Sequence, residues 1–118
     1  MPYYLTQVVY TPEAYGALIQ NPHDRMEAVT QTIEELRGEV VASWLTFGEY
    51  DAILISKLPG NVAAISFAMV AMAGGGLKDI KTMPLVTWED GVEAMRAARG
   101  TAYRPPDEPD HEGPVILE

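Results

Sequence analysis

Hydrophobic and polar positions change their spacing along this chain, and the changes divide it into short β-rich and helical segments. Runs rich in Tyr, Val, Ile and Thr favour strands, whereas apolar residues at every third or fourth position favour helices. Strands are predicted over Tyr3–Tyr10, Val40–Phe47, Tyr50–Leu58 and Leu77–Val86. Helices are predicted from Pro12 to about Gln20, from Asn21–Arg25 to Gly38, over Val62–Ala73 and over Trp88–Arg99.

Capping and turn residues mark most of these boundaries. The expected helix N-caps are Thr11, Asn21, Asn61 and Thr87, whose side chains can accept a hydrogen bond from the first turn. The expected helix ends are Gly38, Gly74–Gly76 and Gly100. Gly48 and Glu49 separate the second and third strands, which predicts a two-residue type II′ turn with a positive φ at Gly48.

The element order βα(α)ββαβα predicts an α+β fold of the ferredoxin-like type, a split βαβ unit with an antiparallel four-stranded sheet. The helix after the fourth strand is an addition to that fold. Strands one and three should be central and strands two and four should form the edges. Pro84 lies within the fourth strand, which agrees with an edge position because proline cannot donate to the ladder.

The segment Val62–Ala73 is apolar on all sides, with Ser66 as its only polar side chain. A helix of this kind is usually buried on every side, but one sheet covers only one side. We therefore expect a subunit contact or the C-terminal tail to cover the remainder, and at least a homodimer. Residues 100–118 form an acidic, proline-rich tail after a domain of residues 1–99, and the apolar stretch Pro114–Leu117 is expected to lie along its own or a neighbouring subunit.

The composition excludes several classes of partner and site. A formal net charge of −9 disfavours nucleic acid and anionic membrane surfaces. No apolar stretch reaches the roughly 18 residues of a membrane span, and the first residues do not resemble a signal peptide, so a cytoplasmic protein is expected. Without cysteine, and with two histidines at unrelated positions, we expect neither a metal site nor a cofactor.

Tyr50 and Asp51 are the first candidates for a ligand contact. As neighbours in a strand they would point to opposite faces, so they cannot act as a pair on one substrate. Asp51 could be a general base if it were buried. The alternative, which we favour, is that Asp51 accepts hydrogen bonds that fix the hairpin, while Tyr50 packs with its hydroxyl satisfied.

Three further residues complete the candidate set. Gln7 follows Thr6 in a central strand, so one of the two must face inward, where it needs a structural partner or a ligand. Trp44 lies on an edge strand and His23 lies near the start of a helix. Each could contact a ligand. The competing interpretations are that Trp44 packs in the structure and that His23 is simply exposed to solvent.

The chain resembles the bacterial GYD-domain family over about residues 1–98. The resemblance rests on five blocks in order: Tyr3–Thr6, Tyr10–Glu13, Asn21–Arg25, Phe47–Asp51 and Lys81–Leu85. It implies a dimeric α+β barrel, in which two such sheets pack face to face. That superfamily includes cofactor-free monooxygenases, isomerases, haem enzymes and ligand-sensing domains, and the fold does not choose among them.

Three functions remain open from the sequence. The first is a small-molecule-binding or sensing homo-oligomer that takes a small hydrophobic ligand. The second is a cofactor-independent oxygenase or isomerase acting on a small hydrophobic or phenolic substrate. The third is a structural or assembly protein. A pocket lined by Tyr50 or Asp51 would favour the first two, and a filled interior would favour the third.

Overall fold

The structure is a computed structural model that describes residues 1–106. Its elements are β1 (Tyr3–Tyr10), α1 (Pro12–Gln20), α2 (Met26–Glu35), β2 (Glu39–Leu45), β3 (Ala52–Lys57), α3 (Asn61–Ala73), β4 (Leu77–Leu85) and α4 (Trp88–Arg99). Contacts divide the chain into two compact units, Met1–Val86 and the part from Thr87 onward. The predicted apolar stretch 114–117 lies outside the described residues.

The first unit has the α+β, ferredoxin-like fold that the element order predicts. Its four strands are ordered β2-β3-β1-β4 and every neighbouring pair is antiparallel. Strands β1 and β3 are therefore central, and β2 and β4 are the edges. Pro84 lies on the edge strand β4 opposite Tyr4, as expected for a residue without an N–H group.

One face of the sheet carries the hydrophobic core under α2 and α3. The fully buried apolar residues are Tyr4, Ile33, Leu54, Leu58, Ala64 and Phe67, with Met26, Val29, Leu36, Val40 and Ala63 packed around them. Thr6 is buried on the same face, so the inward-facing member of the Thr6–Gln7 pair is Thr6. Because side chains alternate along a strand, Gln7 points to the opposite side of the sheet. We call that opposite side the open face.

The connection between β2 and β3 differs from the predicted two-residue turn. It runs over residues 46–51, and within residues 1–106 the only glycine with φ in the left-handed region is Gly75, at 84°. The II′ turn with a positive φ at Gly48 is therefore wrong. Thr46 closes a wider loop instead, because its N–H donates to the Asp51 carbonyl at 2.9 Å and its hydroxyl donates to the Tyr50 carbonyl at 2.7 Å.

Two predicted N-caps are also corrected. Helix α2 begins at Met26 rather than after Asn21, because the Asp24 carboxylate accepts the Met26 N–H at 2.9 Å. Helix α3 has Gly60 at its N-cap, and the Asn61 side chain accepts a hydrogen bond from the Tyr4 hydroxyl at 2.7 Å instead of capping the helix. The Thr11 and Thr87 caps are confirmed, each with a side-chain oxygen bonded to an N–H of its helix.

Helix α2 ends in a Schellman motif, but Gly38 is not its left-handed residue. Arg37 takes that conformation with φ of 66°, and the Gly38 N–H donates to the Ile33 carbonyl at 2.9 Å. A Cβ at position 38 would lie 2.5 Å from Leu58 Cδ2 and 2.5 Å from the Lys57 carbonyl oxygen. Glycine is therefore required at 38 by close packing rather than by backbone conformation.

Helix α3 is only half covered within the unit of residues 1–86. Ala64 and Phe67 face the core and are buried. The outward side is apolar and exposed, at Val62, Ile65, Met69, Val70 and Met72. The sequence prediction that something else must cover this helix stays a prediction.

The second unit is described by its own helix. Helix α4 carries Glu89 and Asp90 in its first turn and Arg96 and Arg99 in its last, the charge order that suits the helix dipole. Arg96 and Glu93 form an exposed ion pair at 2.6 Å. Residues 101–106 form neither helix nor strand. The predicted boundary between a domain of residues 1–99 and a tail of residues 100–118 stays a prediction.

Candidate functional site

The open face consists of cross-strand rows that place apolar residues at its centre. The central row pairs Ile55 of β3 with Leu5 of β1, and extends to Ala42 on one side and Met83 on the other. The next row is Trp44, Ile53, Gln7 and Lys81. None of these residues is fully buried, and Trp44 and Met83 are 59% and 46% exposed. The central row of the face is thus apolar, and the row of Trp44 is polar at its Gln7–Lys81 end.

Gln7, Tyr50 and Lys81 form a polar group on this face, which we call the sheet-face triad. Lys81 is paired with Gln7 across the strands, and its Nζ lies 5.9 Å from the centre of the Tyr50 ring. The nearby Tyr50 raises the pKa of Lys81, first as a hydrogen-bonding partner and then through its charge. Lys81 therefore keeps its positive charge at neutral pH. Among residues 1–106, no side-chain hydrogen bond occupies the Gln7 amide.

Trp44 shares the open face with the triad but lies at its other edge. It is on β2, whereas Lys81 is on β4, so three strand spacings of about 4.8 Å, or roughly 14 Å, separate their backbones. The face between them is lined by Ile53 and Gln7.

Asp51 lies in a different environment and contacts different partners from Tyr50. Its carboxylate accepts the Tyr10 backbone N–H at 2.9 Å, and its own N–H donates to the Val8 carbonyl at 2.8 Å. Burial raises the pKa of Tyr10; Arg25 opposes that increase and Asp51 adds to it. Desolvation and hydrogen bonding with Asp51 raise the pKa of Tyr15, whose ring meets that of Tyr10 edge to face at 5.5 Å. The contacts of Asp51 are those of a residue that fastens the loop to β1.

His23 lies in the irregular segment between α1 and α2. Its Nδ1 is 2.7 Å from the backbone carbonyl oxygen of Asn21, and its side chain is exposed. Within the described part of the chain, no hydrogen bond joins His23 to the other candidates. Within residues 1–106, no group of three or more His, Cys, Asp or Glu side chains is placed to hold a metal ion.

Lys81 is the residue of the triad that sequence reasoning missed. The alternation along the fourth strand puts residues 81, 83 and 85 on one face, but only the register of β4 against β1 places Lys81 beside Gln7. The signal in the sequence is a lysine between Asp79 and Met83 in the alternation of the fourth strand, on the face opposite Pro84. A search for charged residues at strand positions of the apolar face would have found it.

A groove lies on the other side of the sheet, between α3 and β4, and we call it the α3–β4 groove. Its volume is about 540 Å³. Its lining is Tyr4, Asn61, Ala64, Ile65, Ala68, Met69, Met72, Ile80, Thr82 and Pro84. A second groove of about 510 Å³ separates the end of α2 from the start of α3. Neither of these two grooves is lined by Tyr50 or Asp51, so neither is the pocket that the sequence analysis sets as its test.

A comparison with protein families finds one match that covers most of the chain. The family model described as "GYD domain" matches residues 4–95. Among curated proteins, none is significantly similar to this chain. No helix among residues 1–106 combines the length and the apolar character needed to cross a bilayer.

Two solved structures resemble the chain at low sequence identity. A hypothetical protein from Pyrococcus horikoshii is 15% identical, with a TM-score of 0.47 over 74% of this chain and 92% of that one. An antibiotic biosynthesis monooxygenase is also 15% identical, with a TM-score of 0.42 over 74% of this chain and 98% of that one. At these scores the likeness adds nothing to what the sheet topology already establishes.

Proposed function

This chain belongs to the GYD-domain family, and we propose that it functions as a homodimer that binds a small, largely apolar molecule. The observation that carries the proposal is the open face, whose central rows are apolar and which α2 and α3 leave uncovered. An antiparallel sheet with two apolar faces needs cover on both. A second copy of the same face provides that cover with twofold symmetry, which is the commonest arrangement of soluble homo-oligomers.

The distribution of charge on the open face supports this arrangement. The central row of Ala42, Ile55, Leu5 and Met83 carries no charge. Glu39 and Lys57 lie in the row on one side of it, Lys81 lies in the row on the other side, and Asp79 lies one row beyond Lys81. An apolar centre with a polar rim is the usual anatomy of a protein interface. A charged residue in the central row would argue against such a contact, because association of the two subunits would bury that charge.

The sheet-face triad supports a ligand site at the rim of this contact. It combines an aromatic ring, an unoccupied amide and a cation, and Lys81 is exposed in a single subunit. A cation beside apolar surface favours a ligand with an apolar or aromatic body and one acidic group. We therefore propose that the ligand is a small aromatic acid, with its acidic group on Lys81 and its body toward Ile53 and Trp44.

This function belongs to the binding class rather than the enzyme class. The general-base role for Asp51 finds no support in its contacts, because the carboxylate is engaged with the Tyr10 N–H. The triad holds a cation and two neutral groups and includes no carboxylate. A purely structural role in assembly would require only the apolar rows of the open face. It would not explain why Lys81 lies beside Tyr50 on that face.

The ligand site can be tested with 8-anilinonaphthalene-1-sulfonate, an aromatic dye with one acidic group. Lys81→Met should weaken its binding about tenfold or more, because a hydrogen bond to a charged group contributes about 1.5–3 kcal/mol. Lys78→Met is the matched control, since it removes the same charge from the same strand outside the triad. Equal affinities for the two variants would contradict the proposed site, and fluorescence titration measures both.

A further inference from the structure

The α3–β4 groove has the dimensions of a small-molecule site and lies on the side of the sheet away from the open face. Its volume of about 540 Å³ is within the range of roughly 300–1,000 Å³ that ligand pockets occupy. It is formed entirely within residues 1–86 of one subunit. Its occupancy therefore does not depend on the dimer or on the sheet-face triad.

The chemistry of the lining specifies an uncharged occupant. None of the ten lining residues carries a charge, although the whole chain has a formal net charge of −9. An ionic group placed here would lose its hydration without gaining a partner, which is costly. The apolar walls are provided by Ile65, Met69 and Met72 of α3 and by Ile80 and Pro84 of β4. The groove is thus complementary to a neutral, mainly apolar molecule.

The Asn61 amide is a polar anchor at the groove and gives the occupant a direction. The Tyr4 hydroxyl donates to Asn61 Oδ1 at 2.7 Å, which fixes the orientation of the amide. Among residues 1–106, the amide N–H groups of Asn61 have no hydrogen-bond partner. They can therefore donate to a carbonyl, ether or hydroxyl oxygen of a bound molecule. Tyr4 acts as a positioning residue for Asn61.

The two methionines indicate the shape of the apolar part. Met69 and Met72 are 66% and 41% exposed and lie one turn apart on α3. Methionine side chains adapt to irregular ligands, and their sulfur atoms make favourable contacts with aromatic rings. From the volume, the absence of charge, the Asn61 donor and these methionines, we infer that the α3–β4 groove binds a neutral aromatic molecule with a hydrogen-bond acceptor.

Nile red, a neutral aromatic dye with a carbonyl acceptor, provides a direct test. We expect its emission to shift to the blue and to saturate as the full-length protein is added. Ala68→Trp fills the groove and should weaken binding about tenfold or more. Val70→Trp adds the same side chain to α3 at an exposed position outside the groove lining and should leave the affinity unchanged.

A second pair of variants covers the case in which Ala68→Trp does not fold, as judged by circular dichroism. Met72→Lys places a charge in the groove and should weaken Nile red binding, whereas Val70→Lys should not. Lys81→Met should leave Nile red binding unchanged, which separates this site from the sheet-face triad. Three results would overturn the inference. The first is the absence of saturable Nile red binding, and the second is an equal loss of Nile red affinity in the Val70 variants. The third is a fall in Nile red binding at higher protein concentration, which would mean that a second copy of the chain occupies the groove.

Discussion

Gly38 is the position at which the structure makes its sharpest prediction about stability. Adding one methyl group, as in Gly38→Ala, would place a carbon 2.5 Å from Leu58 Cδ2, 2.5 Å from the Lys57 carbonyl oxygen and 3.1 Å from Ile33 Cγ2. Leu58 and Ile33 are 1% and 0% exposed, so neither can move into solvent. Lys57 is held in the β2–β3 pairing opposite Glu39. The clash must therefore be relieved by shifting the core or the sheet.

Overpacking of this kind costs about 1–3 kcal/mol. For a domain of this size, each kilocalorie per mole lowers the melting temperature by roughly 4 °C or more. Gly38→Ala should therefore melt several degrees below the wild type and unfold at lower urea, with little change in the denaturant slope. Circular dichroism during urea and thermal unfolding measures both quantities.

Gly48→Ala is the matched control for this prediction. A Cβ at Gly48 meets nothing within 4 Å, and its φ is outside the left-handed region. The change should alter the free energy of unfolding by no more than about 0.5 kcal/mol. If Gly38→Ala were as stable as the wild type, or if Gly48→Ala were the more damaging change, the packing argument at Gly38 would be refuted.

Two further substitutions test polar groups on the sheet by the same unfolding assay. Asp51→Asn should lower the free energy of unfolding by about 1 kcal/mol, because it replaces the charged acceptor of the Tyr10 N–H by a weaker one and leaves the triad intact. Unchanged stability together with lost binding of 8-anilinonaphthalene-1-sulfonate would instead assign Asp51 to the ligand site. Ser56→Ala should be neutral or stabilising by up to about 1 kcal/mol, because the Ser56 hydroxyl is buried without a hydrogen-bond partner among residues 1–106. A clear loss of stability in Ser56→Ala would mean that the hydroxyl has a partner.

The order of the elements could be predicted from the sequence because each depends on local spacing and capping. Thr11 and Thr87 cap their helices through bonds to residues three positions away, which local patterns can specify. Asn61 could not be interpreted in the same way, because its partner, the Tyr4 hydroxyl, is distant in sequence. The Asn61 side-chain oxygen can accept a hydrogen bond from a helix N–H group or from the Tyr4 hydroxyl, and only the fold brings that hydroxyl near.

The errors at Gly48 and Gly38 have a common origin. The sequence pattern assigns both glycines a role in backbone conformation, Gly48 in a II′ turn and Gly38 at a helix end. At the first, the two bonds of Thr46 to the Tyr50 and Asp51 carbonyls produce a wider loop that needs no positive φ. At the second, Arg37 takes the left-handed conformation. Glycine is needed at position 38 because a Cβ there would clash with residues that are distant in sequence.

The candidate site could be predicted only in part. Alternation along β1 could place Gln7 on the face opposite Thr6, but the contact of Tyr50 with Lys81 depends on a loop that reaches toward another strand. Trp44 shares that face through the β2–β3 register. His23 and Asp51 are candidates because of their residue type, and residue type alone does not predict which surfaces a fold brings together.

The mass of the protein in solution tests most directly whether two open faces pack together. Light scattering at micromolar concentration should give about twice 12.9 kDa for the wild type. Met83→Lys, in the central row of the open face, should give a mass near 12.9 kDa. Met69→Lys makes the same change at an exposed methionine of α3 and should keep the dimer mass. A wild-type mass of 12.9 kDa, or dissociation by Met69→Lys but not by Met83→Lys, would contradict the account.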